Sequence, residues 1–179
     1  MPAKYIPVQV TPINAAQQQQ VATATCDCIR RAGDLLGCVL DPVPVSFTLS
    51  GRAAGMYRVL RGQREIRYNP YIFGKYFADN LATTIPHEVA HYAVDVLYGL
   101  RNVRPHGVEW RSVMHLLGAD PAVTCRYDLS GIPQRRQQRF SYRCACTTHA
   151  ISTARHNRVS SGRARYFCKH CGTALAFAG

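Results

Sequence analysis

At 179 residues the chain can form one main domain and a small appendage, and 47% hydrophobic with 18% charged residues is the composition of a soluble globular protein. The formal charge of +12 is uneven: 126–179 hold ten Lys or Arg against Asp128 alone, a net +9, while the first 125 residues hold twelve against nine acids, a net +3. With no apolar segment of signal-peptide length at the start and no stretch that reaches a membrane span, these balances point away from secreted and membrane-spanning classes and toward the cytoplasm, with the C-terminal third meeting a polyanion.

The periodicity predicts an amphipathic helix over 13–36, with Val21, Ala24, Cys28, Ala32, Leu35 and Leu36 on one face and Gly37 as its stop. After the breaker Asp41-Pro42-Val43-Pro44, three strands are expected at 45–49, 56–59 and 65–68, punctuated by Gly51 and Gly55. Asn69-Pro70 ends the sheet and opens a short helix near 71–77. The next helix is expected to start at a Thr83 or Thr84 cap, with Pro86 in its first turn, and to run to about Tyr98 before Gly99. His106 then opens a helix whose apolar face is Trp110, Val113, Met114 and Leu117, closed by Gly118. Residues 119–140 lack periodicity and read as a basic linker. The organisation expected is therefore a core at 1–125, a linker at 126–139 and a second unit at 140–179.

The chemistry concentrates in the third of these helices. His87-Glu88-Val89-Ala90-His91 is an H-E-x-x-H motif, whose i and i+4 histidines share one helical face and can reach one zinc ion. His106 would be the third ligand, leaving the fourth position open as in catalytic rather than structural zinc sites. Glu88 projects from the adjacent face and suits a general base, taking a proton from water and passing it to a leaving amine. A chance match on an exposed helix would not explain so apolar a setting as Val89, Ala90, Ala93, Val94 and Leu97. Tyr57, Tyr68, Tyr92 and Tyr98 are candidates for oxyanion stabilisation. Asp95 either orients His91 or is a plain surface acid, and His115 reads as a core or boundary residue.

These residues resemble the SprT family of zinc metallopeptidases. The resemblance rests on Ile85-Pro86-His87-Glu88-Val89-Ala90-His91 and Pro105-His106-Gly107-Val108-Glu109-Trp110, and upstream on Leu49-Ser50-Gly51-Arg52-Ala53-Ala54-Gly55 and Ile66-Arg67-Tyr68-Asn69-Pro70. It covers the chain from about residue 20 and implies an α+β fold. That fold is a gluzincin-like core, with an N-terminal helix, a three-stranded sheet, an active-site helix and a third-ligand helix, followed by a zinc-ribbon-like unit. It also implies zinc held by His87, His91 and His106, with Glu88 as base. The family's eukaryotic relatives, the Spartan proteases, are DNA-dependent and cleave proteins crosslinked to DNA.

The eight cysteines stand at 26, 28, 38, 125, 144, 146, 168 and 171. The first four read as reduced, packed side chains. Cys144-Ala145-Cys146 and Cys168-Lys169-His170-Cys171 resemble the two knuckles of a zinc ribbon, although the first pair is C-x-C. A Cys₃His site using His149 is the rival, and His170 a weaker option. A unit this small with few large apolar residues needs a metal to fold. Arg135, Arg136, Arg139, Arg143, Arg155, Arg158, Arg163 and Arg165 surround Tyr142, Tyr166 and Phe167, a pattern suited to sequence-independent DNA binding, single strands included. The expected protein is thus a monomeric zinc endopeptidase with one catalytic and one structural zinc, acting on protein substrates bound or crosslinked to DNA. The alternatives are a non-catalytic nucleic-acid-binding zinc protein, and a zinc peptidase whose substrates have nothing to do with DNA.

Overall fold

The structure is a computed structural model that describes residues 9–121, 127–134 and 138–179. It is a mixed α/β chain that divides into two compact units, 1–134 and 135–179. Cys125, Arg135 and Arg136 lie outside the described residues.

In the first unit, α1 (Ala15–Leu36) begins at a capping box: the Asn14 side chain accepts from the Gln17 amide, and the Gln17 side chain accepts from the Asn14 amide. It ends at Gly37, whose φ of 65° suits a residue without a Cβ. The sheet has the order β1-β3-β2. β1 (Val45–Ser46) is shorter than the expected strand and runs parallel to β3 (Gln63–Tyr68), while β2 (Gly55–Leu60) is antiparallel to β3. Asn69 accepts from the Tyr71 and Ile72 amides to cap α2 (Pro70–Lys75), and its side-chain amide donates to the Gly51 carbonyl. One residue thereby ties the loop before β2 to the helix after β3.

α3 (Phe77–Tyr98) is longer than the spacing predicts. Thr83 and Thr84 lie in its interior rather than at its start, and Pro86 sits near its middle. The true start is at Tyr76, where α2 and α3 abut, and it is held by Asn80, whose side-chain amide donates to the Tyr76 and Ile72 carbonyls. Asn80 in turn accepts from the Thr84 hydroxyl. A buried polar network therefore stands where a cap was expected, and packing on both sides of α3 offsets the hydrogen bond that Pro86 cannot donate. α4 (Val108–Leu116) buries Trp110, Val113 and Met114, the face predicted. Ile29, Ile66, Tyr68, Phe73, Ile85, Val89, Ala93 and Trp110 join these into one core.

The basic stretch read as linker is partly fixed to this unit. Lys75 donates to Asp128 and Ser130, Tyr76 stacks on Tyr127 at 4.5 Å, and Ile132 is buried.

The second unit is built on a sheet of order β5-β4-β6, from β4 (Arg139–Arg143), β5 (Thr148–Ser152) and β6 (Ala176–Phe177). Between β5 and the second cysteine pair runs a helix that periodicity did not announce, α5 (Thr153–Ser160), which has no buried residue. It is held by His156, whose ring stacks on Phe140 at 3.7 Å and whose Nδ1 meets the Tyr142 hydroxyl at 3.1 Å.

Candidate metal centres and active site

His87 and His91 stand one turn apart on α3. His106 reaches the same point from the loop before α4 rather than from the helix itself. Its φ of 54° is left-handed, a conformation that histidine adopts more readily than most residues and that clusters at functional sites. The three Nε2 atoms are 3.3 Å (His87–His91), 3.1 Å (His91–His106) and 3.1 Å (His87–His106) apart. Three nitrogens about 2.0–2.1 Å from one tetrahedral zinc stand about 3.3 Å apart, so the spacing fits that ion. Burial holds His87 down at about 4 and His91 at about 3, and it lowers His106 as well. All three imidazoles are therefore neutral at pH 7, with lone pairs available to a metal.

Trp110 walls this cluster. Its ring lies 4.7 Å from His87, 5.7 Å from His91 and 4.7 Å from His106, and its indole N–H donates to the His87 carbonyl at 3.3 Å. Spacing identified Trp110 as core only. No helical spacing signals that contact, because His106 lies outside α4.

Glu88 is 5% exposed. Burial raises its carboxyl to about 7 against the opposing pull of the Tyr57 amide, which donates to Oε2 at 2.7 Å. A Cβ on Gly55 would stand 2.6 Å from Glu88 Oε1 and 2.7 Å from its Cγ, so the carboxylate occupies the space that a side chain would need.

Asp95 fits neither role foreseen for it. It accepts from the Tyr57 hydroxyl at 2.6 Å, the Arg64 Nε at 2.8 Å and the Leu100 amide at 3.2 Å, so it braces the β2–β3 hairpin against α3. Of the four tyrosines considered for an oxyanion, Tyr57 is engaged with Asp95, Tyr68 with Thr25 and Tyr92 with the Asp41 carbonyl, while Tyr98 stands half exposed at the end of α3. His115 is exposed.

In the second unit Cys144, Cys146, Cys168 and Cys171 bring their sulfurs within 4.8 Å of one another. The Cys144–Cys146 and Cys146–Cys168 separations are 3.4 and 3.7 Å. Thiolates about 2.3 Å from a tetrahedral zinc stand about 3.8 Å apart, so this set also fits zinc. Backbone amides of Thr147 and His170 point at Cys144 and Cys168 Sγ, as tight turns around a ligating sulfur require. His149 Nε2 lies 3.2 Å from Cys144 Sγ, beside the sulfur cluster rather than within it. Arg139, Arg143, Arg155, Arg158, Arg163 and Arg165 are all exposed, and the Arg155 guanidinium lies 5.4 Å over the Tyr166 ring. A groove of about 850 Å³ beside the cysteines is lined by Arg155, Tyr166, Phe167, Lys169 and His170.

Among the described residues no helix is long and apolar enough to cross a membrane. The SprT-like family profile matches residues 37–130. Protein SprT of Pasteurella multocida is 34% identical over 158 residues, spanning 88% of this chain and 92% of that protein. Protein SprT of Vibrio parahaemolyticus is 39% identical over 140 residues, 77% of this chain and 81% of the relative. Protein SprT of Shewanella oneidensis is 33% identical over 162 residues, 90% and 99% respectively. No solved structure matches the chain significantly.

Proposed function

This chain belongs to the SprT-like family, and we propose that it is a zinc endopeptidase whose second unit carries it to protein substrates on DNA. The observation that carries the reading is the buried Glu88 carboxylate next in sequence to His87, in a cluster of three neutral imidazole nitrogens spaced for one zinc. His87, His91 and His106 would hold the catalytic ion, and Cys144, Cys146, Cys168 and Cys171 a structural one. Zinc held by three histidines supplies Lewis acidity that makes water a nucleophile at neutral pH and polarises a peptide carbonyl.

The protein's own part is proton handling and exclusion of water. Glu88 takes a proton from the attacking water and gives it to the departing amine. Burial raises this carboxyl in the metal-free protein, which favours its holding the proton between the two halves of that exchange. Trp110 keeps the ligand rings in place and dry on one side.

The DNA half of the reading rests on the exposed arginines and on the groove beside Tyr166 and Phe167. Guanidinium groups neutralise phosphates and aromatic rings stack unpaired bases, neither of which reads sequence. The test is cleavage of a protein crosslinked to single-stranded DNA against the same protein free. Faster loss of the crosslinked form supports the reading, and equal rates would leave a zinc peptidase with no preference for DNA.

A further inference from the structure

Strand β2 opens on a glycine where no positive φ asks for one. The reason lies across the gap to α3. A methyl group on Gly55 would stand 2.6 Å from Glu88 Oε1, 2.7 Å from Glu88 Cγ and 2.7 Å from Thr84 Cγ2. Two residues on, the Tyr57 amide donates to Glu88 Oε2 at 2.7 Å. The Tyr57 hydroxyl reaches Asp95, two helical turns beyond Glu88, at 2.6 Å. Arg64 of β3 and the Leu100 amide hold the Asp95 carboxylate from the other sides, and its side chain is only 10% exposed.

We propose that Gly55, Tyr57 and Asp95 are positioning residues that clamp the Glu88 carboxylate, Gly55 by leaving space for it, Tyr57 by its amide, and Asp95 by pinning Tyr57 to α3. The proposal rests on the reading of Glu88 as general base. A glutamate has three side-chain torsions, and its freedom must be removed if one oxygen is to meet the reacting water in register. The amide fixes Oε2 and leaves Oε1 for the proton. Because β2 is anchored to α3 at two points about 10 Å apart along the helix axis, the amide cannot swing away from the carboxylate.

The first test needs no turnover. In zinc-free protein the Tyr57 amide exchanges its hydrogen about tenfold or more faster in Glu88→Ala than in wild type, the loss expected for a bond to a charged acceptor. The Ile66 amide, bonded to the Pro44 carbonyl in the same sheet, serves as control and keeps its rate. The second test is kinetic. Gly55→Ala keeps its zinc and its KM and loses about 100-fold in kcat, the scale of an ångström-sized misplacement. Tyr57→Phe and Asp95→Asn lower kcat by about threefold to tenfold at constant KM, with the glycine intact, and carry the kinetic test if Gly55→Ala does not fold. Unchanged exchange at Tyr57 in Glu88→Ala, or wild-type kcat in either Tyr57→Phe or a folded, zinc-loaded Gly55→Ala, overturns the clamp. If the wild-type protein hydrolyses nothing, the protease reading fails by itself, and the exchange experiment still decides the geometry.

Discussion

The Trp110 indole N–H donates to the backbone carbonyl of His87 while its ring packs 4.7 Å from the His87 imidazole, so one residue of α4 holds both the backbone and the side chain of a histidine on α3. α3 and α4 therefore cannot shift relative to each other without disturbing the histidine cluster.

That relationship predicts a graded response at Trp110. Trp110→Ala removes a side chain that is 1% exposed and should cost about 3–5 kcal/mol of stability. It should also weaken zinc at the histidine site by about tenfold to 100-fold, as loss of a residue that orients ligands does. Trp110→Phe keeps one aromatic ring but loses the N–H and the rest of the indole, so its cost should be smaller, about 1–3 kcal/mol. Thermal unfolding and competitive zinc titration measure both effects, and equal losses for the two variants would mean that a phenyl ring at this position holds nothing in place.

The two clusters should separate in metal content. Wild type should hold about two zincs per chain, His87→Ala about one, and Cys168→Ser about one. Because His149 lies beside the four sulfurs, His149→Ala should keep about two, whereas a Cys₃His site would lose one. Elemental analysis after gel filtration distinguishes these outcomes.

Glu88 gives a pH signature in zinc-free protein. Its carboxyl is raised from 4.5 to about 7 by burial, so the folded state holds the proton more tightly than the unfolded state does. The carboxyl therefore costs no stability below about pH 4.5, and stability falls as the pH climbs from there through 7. Glu88→Gln, which never ionises, should lose that dependence and be the more stable protein at pH 8, by on the order of 3 kcal/mol. Urea unfolding of both proteins at pH 4.5 and pH 8 tests the sign.

The arginines of the second unit should act through phosphate. Each of Arg155→Ala, Arg158→Ala and Arg163→Ala should weaken single-stranded DNA binding alike across sequences and flatten the plot of log K against log salt by about 0.7. Anisotropy titrations on two unrelated oligonucleotides at several salt concentrations measure this, and a variant that weakens only one oligonucleotide would indicate base reading instead.

Much of this site was legible in the order of residues because its chemistry obeys helical spacing. His87 and His91 are one turn apart, and the apolar face of Trp110, Val113 and Met114 repeats as a helix should. The start of α3 was misplaced because Thr83, Thr84 and Pro86 carry the local marks of a helix N-terminus, while the real start depends on Asn80 bonding back to Tyr76 and Ile72, a tertiary arrangement without a short-range signature. α5 was missed for a related reason: it buries nothing, so no periodicity marks it, and His156 stacking on Phe140 holds it in place. Gly55 looked like punctuation between strands. Its meaning depends on Glu88, thirty-three residues away in sequence, and appears only when β2 is laid against α3.

The central claim is that Glu88 moves the proton in a zinc-dependent peptide hydrolysis. The direct measurement is cleavage of an unfolded protein substrate, with DNA present, by wild type and by Glu88→Gln, both shown to carry the same zinc at the histidine site. The account predicts hydrolysis by wild type and a loss of about 100-fold or more in Glu88→Gln, since an amide cannot accept the proton. Equal cleavage by the two proteins would contradict it.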